Sequence, residues 1–562
     1  MLNQYTDLMK VYFLSVILLI SFLGVSAQTA NWQWARSASG GGATSICTDS
    51  DGDHYVLGEF SGPSVTFGAI TLTNAGSGTR DICVVKYDTS GNVLWARSIG
   101  SAANDFPFHI INDVSGNVIV TGSFMGANLT IGSTTFNNAG GVDIFLVKYD
   151  PFGNILWASS AGGVDYDYGF GLASDSSGCI YLTGYFSSPT INFGSTTLIN
   201  TLAAGGENDF FIAKYSAGGN PIWAKKEGGD DGKYGKSVSV DLQGNVLVIG
   251  AFFGDSMIFS SVSLVNNNSQ KNDIFIAKYD SSGNILWARS IGGYNHDTPA
   301  AIASDKSGNV LVEGHFFSPF LYLGTTTLTN SQQGEDLFLA KYDSVGKLLW
   351  ATSAGGDSTG VFAADIALDS IGNEYIIGNF IYSWVTFDTI TLTNAGQQNF
   401  FIVKYDTSGK VLWATSMGGT GLDYGSAISV DTHAGISICG GFDSPALAFG
   451  AATLTNINSI GSFFVASMDA IGALGIMDFE TQDQGVSISP NPFSAETVIR
   501  SRNILNSATL YVLNSQGELV KEVKNISGQS VVLSRANLRG GLYLILIEQE
   551  GGIAVAKVLI QD

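Results

Sequence analysis

Tryptophan recurs along this chain at a nearly constant interval. It stands at Trp34, Trp95, Trp157, Trp223, Trp287, Trp350 and Trp413, with successive spacings of 61, 62, 66, 64, 63 and 63 residues. Most copies lie in one phrase, such as "DIFIAKYDSSGNILWARSIGG" from Asp273 to Gly293. Near copies begin at Asp143 and Asp336. A second phrase keeps the same period. Its glycine falls at Gly58, Gly122, Gly184, Gly250, Gly314, Gly378 and Gly440, each followed two residues on by Phe. Seven copies of a unit of about 63 residues result. A period above about 50 residues, filled with short strands, points to a propeller or array and not to a helical solenoid.

Four main strands are expected per unit. In the third copy they are "FGLASD", "CIYLTGYF", "DFFIAKYS" and "PIWAKKEG", each alternating or rich in β-branched and aromatic residues. Turns such as "DVSGN" from Asp113 and "DPFGN" from Asp150 join the first strand to the second and the third to the fourth. Asp caps such a turn, Pro151 suits its second position and Gly153 takes positive φ. A hairpin like "INFGSTTLIN" from Ile191 is inserted between the second and third strands. Four-stranded units repeated seven times close well into a β-propeller, which leaves few edges. The seventh copy decays in "ASMDAIGALGIM", where Ile476 replaces Trp, and the missing strand stands at the start as "NWQWARS" from Asn31. The N-terminal strand is therefore expected to complete the last blade; the alternative is an open solenoid. The Trp and Asp-Gly marks, present in nearly every copy, serve the repeat and not a single site.

The phrases "D-x-F-x-x-K-Y-D-x-x-G-N-x-L-W" and "D-x-x-G-N-V-x-V-x-G-x-F" resemble the SBBP-type β-propeller repeat across residues 31–477. That resemblance implies a bacterial propeller and says little about ligand.

Charged residues make up 13% of the chain, against about 25% in a typical globular protein. The net charge is −22. Such a chain repels phosphate backbones, so no nucleic-acid partner is expected. Residues 1–27 read as a secretory signal: Lys10, the apolar run Val11–Val25, and Val25-Ser26-Ala27 before Gln28. The run is shorter than the roughly 20 residues of a membrane span. Cys47, Cys83, Cys179 and Cys439 show no paired spacing and read as buried small side chains.

After residue 477 the repeat stops. A polar linker (478–485) precedes "VSISPNPFSAETVIRS" from Val486 and further alternating strands to Asp562. A small β-sandwich over 486–562 is expected. Pro490-Asn491-Pro492, Gly517, Gly541 with Tyr543, and Lys557 resemble the type A C-terminal sorting domain of type IX secretion. The resemblance implies the type IX machinery as partner, outer-membrane passage, and release or attachment at the cell surface.

Chemistry is sparse. His54, His109, His296, His315 and His433 form no ligand spacing, and no nucleophile elbow or phosphate loop occurs. Glu313 breaks the second phrase, where other copies have Leu57, Thr121, Thr183, Ile249, Ile377 and Cys439. His315 lies on the same side of that strand, and a local Glu–His pair is expected. Asp105, Asp167, Asp297 and Asp423 recur in the loop entering four of the seven units, with Phe106, Tyr166, Tyr168, Tyr234, Tyr294 and Tyr424 nearby. These loops share the elaborated face of the propeller, where Asp105, Asp167, Tyr168, Tyr234, Asp297, Asp423 and Tyr424 are the candidate ligand-binding residues. "DSDGD" at Asp49–Asp53 has a calcium-loop flavour without the full spacing, so no cofactor is expected beyond possible calcium. The reading is an exported, monomeric, non-catalytic propeller that serves as a binding, adhesion or scaffold module, with glycan or protein as its ligand. The alternative is an enzyme acting on extracellular polysaccharide.

Overall fold

Each repeat forms four antiparallel strands paired in chain order. In the second copy these are Asp105–Asn112, Val118–Phe124, Asp143–Tyr149 and Ile155–Ala161. The computed structural model describes residues 31–468 and 486–560, except 202–205, 261, 331–333, 357–359, 382, 395, 432–433, 457–460, 515–518, 537 and 550–551. The expected leader at 1–27, the expected linker at 478–485 and His433 lie outside the described residues. The chain divides into two units, Met1–Leu474 and Gly475–Asp562. There is no helix among the described residues.

Six four-stranded sheets, and one six-stranded sheet that begins with the same four strands, occur in the first unit among the described residues. In one, the fourth strand Leu348–Gly356 runs on to pair with the next hairpin at Trp384–Phe387. The first strands are Gly41–Thr48, Asp105–Asn112, Asp167–Ser174, Lys233–Val240, Asp297–Ser304, Val361–Leu368 and Asp423–Val430. Each contacts the next, and Asp423–Val430 contacts Gly41–Thr48. The sheets thus stand around a ring with their first strands adjoining, a propeller-type architecture. Trp32–Ser39 pairs with Ser462–Met468 and supplies the fourth strand of the last sheet.

Burial follows position in the sheet. Middle strands such as Val118–Phe124 and Asp143–Tyr149 are buried at every residue. Neighbouring sheets cover both of their faces, which is why they read as continuous apolar runs. The outer strand Val93–Ile99 is buried only at Trp95, Ala96 and Ile99.

The repeated phrase fastens one sheet to the next. Trp95 Nε1 donates to the Pro151 carbonyl at 3.0 Å, and Lys86 Nζ reaches the same carbonyl at 3.5 Å. Trp287 and Lys278 do likewise on Ser344, at 3.1 and 3.2 Å. That carbonyl belongs to the Asp-Gly turn of the following sheet. The Trp95 ring lies over Gly153 (φ +79°), where a Cβ would come within 2.8 Å of it. The same lysines pair with the turn aspartate of their own sheet: Lys148 with Asp113 at 2.6 Å, Lys278 with Asp241 at 2.8 Å, Lys341 with Asp305 at 3.2 Å.

In the second unit, Val486–Ser489, Glu496–Leu513, Leu519–Ser534, Gly541–Gln549 and Gly552–Ile560 hydrogen-bond as one five-stranded sheet. Phe493, Ile499, Leu510, Tyr543, Ile545 and Val558 share its core. Asn491 Oδ1 accepts the Leu559 N–H at 2.8 Å, and the Tyr543 hydroxyl donates to the Arg539 carbonyl at 2.9 Å. The Pro490 carbonyl accepts the Thr497 hydroxyl at 2.5 Å. Gly541 opens its strand, Lys557 pairs in register with Leu544, and Gly517 is outside the described residues.

Candidate functional site

Every first strand slips register by one residue at the same place. The extra residues are Thr44, Phe108, Phe170 and Lys236 in the first four sheets, and Ala300, Ala364 and Ser426 in the last three. A bulge of this kind re-aims a side chain out of the ladder. All seven extra residues line one cavity of about 410 Å³ at the centre of the ring of first strands. Phe108 and Phe170 form its aromatic wall, edge to face at 4.9 Å, with Tyr168 stacked on Phe170 at 6.0 Å.

The wall is not symmetric. Lys236 is the only charged residue among the seven. Protein surrounds Lys236, yet its side chain is exposed, because the water that reaches it is the water of the cavity. Burial lowers its pKa, and Asp365 opposes that shift. No hydrogen bond or ion pair to its ammonium is formed by the described residues; the Phe170 ring lies 5.8 Å away. Asp365 also lines the cavity. Its carboxylate accepts the N–H groups of Ile366 at 2.9 Å and Ile428 at 3.0 Å. Burial pushes its pKa to about 7, against those hydrogen bonds and Lys236. His109 Nδ1 accepts the Leu172 N–H at 3.0 Å. Burial, with Lys236 adding to it, holds His109 and His315 down to about 4, so both are neutral at pH 7.

Glu313 lies behind the wall and is 0% exposed, with no partner on either oxygen among the described residues. The expected pairing with His315 is not made. His315 Nε2 instead sits 3.7 Å from Glu335 Oε1, and neutral His315 makes this a contact without opposite charges at pH 7. Burial first, then Asp365, pushes the Glu313 pKa well above the usual carboxyl range. An unpartnered buried polar group costs about 1–3 kcal/mol. Glu313→Ile, which installs the residue of two other copies, is therefore expected to stabilise the protein by about that much. The sign with pH follows from the raised pKa: the unfolded carboxyl ionises first, so the native protein loses stability as pH rises above about 4.3. The gain in Tm from Glu313→Ile should widen from pH 5 to pH 8. A variant less stable than the parent at both pH values would show that Glu313 has a role the neighbouring groups do not reveal.

The candidate aspartates have other partners. Asp105, Asp167, Asp297 and Asp423 are 0% exposed and begin strands where loops were expected. Asp167 accepts Gly163 N–H at 2.7 Å and the Ser188 hydroxyl at 2.8 Å; Asp423 accepts Gly419 N–H and the Ser444 hydroxyl, both at 2.6 Å. Asp105 is held by Ser101, and Asp297 by Gly293 and Ser318. Burial first pushes Asp105 to about 7, Asp167 to about 6 and Asp297 to about 8. These carboxyls tie each entering strand to its loops. Tyr424 lines the cavity and is 37% exposed; Tyr168 and Tyr234 are half-buried at the same register of their own strands.

At Asp49–Asp53 a lysine takes the place a cation would need. Lys86 Nζ lies 2.9 Å from Asp53 and 3.5 Å from Asp49. Among the described residues, no cluster of three or more His, Cys, Asp or Glu is placed to hold a metal, and the four cysteines are free.

Lys236 and Asp365 escaped the sequence reading, but a signal existed. Aligned on the entering strand, Lys236 and Asp365 fall where most copies carry small neutral residues.

A propeller-type ring with an axial cavity, carried on one chain with a separate C-terminal sheet, is thus the class that fold and site define. Residues 487–561 match the secretion system C-terminal sorting domain, which places the chain among proteins addressed to the type IX route, secreted or attached at the cell surface. Over 451 residues the chain is 28% identical to an uncharacterized WD repeat-containing protein of Acanthamoeba polyphaga mimivirus, covering 66% of this chain and 32% of that protein. Over 305 residues it is 27% identical to the regulatory protein FlaEY of Caulobacter vibrioides, covering 51% and 30%. The chain spans about a third of the length of these relatives. Among solved structures, a gluconolactonase from Xanthomonas campestris is similar at 13% identity and a TM-score of 0.27, covering 63% of this chain and 84% of that one. That score is too low to bear on activity.

Proposed function

We propose that this chain is an exported, monomeric seven-bladed propeller of the SBBP type that binds a surface glycan or protein through the cavity end of its ring. Residues 28–477 would form the propeller, and 486–562 a sorting β-sandwich that is read during type IX export. The observation that carries the binding role is the convergence of seven bulged side chains on one cavity. Tyr168, Tyr234 and Tyr424 are the proposed ligand contacts; Asp167 and Asp423 position the strands that bear Tyr168 and Tyr424, and Asp105 and Asp297 those of Phe108 and Ala300. The asymmetry of Lys236, His315 and Asp365 favours a second reading, a polysaccharide-acting enzyme.

One experiment separates the two. The full chain is passed over immobilised polysaccharides, and retained protein and released oligosaccharides are both measured. Retention without products, lost at least tenfold in a Tyr168→Ala/Tyr424→Ala variant of unchanged Tm, is the expected result. Released fragments would replace the binding role with the enzymatic one. The export arm has its own test: deleting residues 487–561 in a host with type IX secretion should leave no protein outside the outer membrane.

A further inference from the structure

The lysine of the repeated Lys-Tyr phrase is committed in every copy that carries it. Lys86, Lys148, Lys214, Lys278, Lys341 and Lys404 each lie within 3.7 Å of a carboxylate oxygen. Lys236 departs from this pattern. Its ammonium faces the cavity from a bulge, and no described residue pairs with it. A cation in a protein-walled cavity focuses field toward an anion. Asp365 on the wall, partly ionised near neutral pH with its pKa at about 7, disfavours a ligand of high negative charge. One ammonium matches one carboxylate. The rest of the wall names the other half of the ligand. Phe108 and Phe170 present aromatic surface, on which the C–H face of a sugar ring packs. Ser237 supplies a hydroxyl for a sugar hydroxyl, and Asn379, whose amide bonds the Gly425 N–H and carbonyl, keeps one N–H for another. A cavity of about 410 Å³ lies within the range of small-molecule sites, about 300–1,000 Å³.

We infer that the axial cavity binds a sugar acid, its carboxylate on Lys236 and its ring against Phe108 and Phe170. This deepens the binding role proposed above and rests on it. The same chemistry is offered by a free hexuronate and by the uronate end of a polysaccharide. Binding also carries a pH signature. Three titratable groups neighbour Lys236, namely His109, His315 and Asp365, and Glu313 adjoins Asp365 in turn. The histidines stay neutral above about 4, while Asp365, at about 7, gains a charge that competes for Lys236 as pH rises.

Calorimetric titration of the full chain with glucuronate, glucose and an oligogalacturonide decides the matter. The uronates should bind at least tenfold more tightly than glucose, and more weakly at pH 8 than at pH 6. Lys236→Met should remove that preference at unchanged Tm, and Lys236→Arg should keep it. Ser426→Asp, which sets a carboxylate on the same ring of bulges, should also abolish it and serves if Lys236→Met does not fold. Tight binding of the oligomer alone would assign the polysaccharide source; equal binding of monomer and oligomer would assign the free acid. Equal binding of glucose and glucuronate, or no effect of Lys236→Met, would overturn the sugar-acid assignment and leave the binding role standing. Binding to no saccharide and to no immobilised polysaccharide would remove both.

Discussion

Lys278→Met is expected to destabilise the propeller unit by about 3–5 kcal/mol near neutral pH, the usual cost of removing one partner of a buried ion pair. Lys278 and Asp241 have side-chain exposures of 3% and 0%, and their charged atoms are 2.8 Å apart. Burial alone would raise the Asp241 pKa, but hydrogen bonds from Lys278 and Asn245 and the lysine charge hold it below the ordinary range. Without the lysine the carboxylate is left desolvated, and the Ser344 carbonyl of the next sheet loses one of its two donors, Trp287 being the other. The sign with pH is definite. A depressed pKa gives stability present above the unfolded value, near 3.9, and lost as pH falls through the folded one. The gap between parent and variant should therefore narrow in acid. Adding Asp241→Asn to Lys278→Met should recover part of the loss, since the stranded charge is gone. Denaturant titration checks both, and a Lys278→Met loss below about 1 kcal/mol would place the pair among exposed ones in energetic terms.

Removal of Trp32–Ser39 should have the larger consequence. That strand pairs with Ser462–Met468 across its length, and Trp34 is buried at 6% exposure. Arg36 donates to the carbonyls of Gly91 and Ser90, at 2.9 and 3.0 Å, and Trp34 to that of Thr89 at 2.9 Å. The strand thus completes the last sheet and fastens it to the first. Its loss exposes Ser462–Met468 as an unpaired edge, a template for association. Calorimetry should show loss of the parent transition, and size-exclusion chromatography should show self-association. Trp34→Ala is the milder form, expected to cost about 3–5 kcal/mol. A truncated protein that melts at the parent temperature as a monomer would contradict the closing role.

The repeat was legible because its marks have strict local causes. Gly153 is bound to a turn with positive φ and to the Trp95 ring above it; neither tolerates a side chain. The hairpin turns and the N-terminal closing strand follow from the same reasoning. The cavity was not legible, and the bulge explains why. Alternation assigns Lys236 and Asp365 to faces by counting in twos, and one inserted residue in each first strand reverses the count beyond it. The aspartates misled for a related reason. Asp167 stands among polar and glycine residues, as loop residues do, yet it starts a strand and turns inward to Gly163 and Ser188. Glu313 was visible as an anomaly, but which neighbour it would meet depended on the adjoining sheet.

The bulges have a further consequence for how such a ring is put together. Each frees a backbone N–H, and the preceding sheet accepts it where a side chain allows. Ser45 takes the N–H of Ile110 at 3.3 Å, His109 that of Leu172 at 3.0 Å, and Asp365 that of Ile428 at 3.0 Å. A hydroxyl, an imidazole and a carboxylate thus fill one role at three joints. A ring of seven identical copies would have seven identical joints, and any copy could stand anywhere. Here three joints differ in the acceptor that closes them. A repeat moved to another place in the order would offer the same backbone N–H to a different acceptor, so the strength and pH response of a joint depend on which copies adjoin.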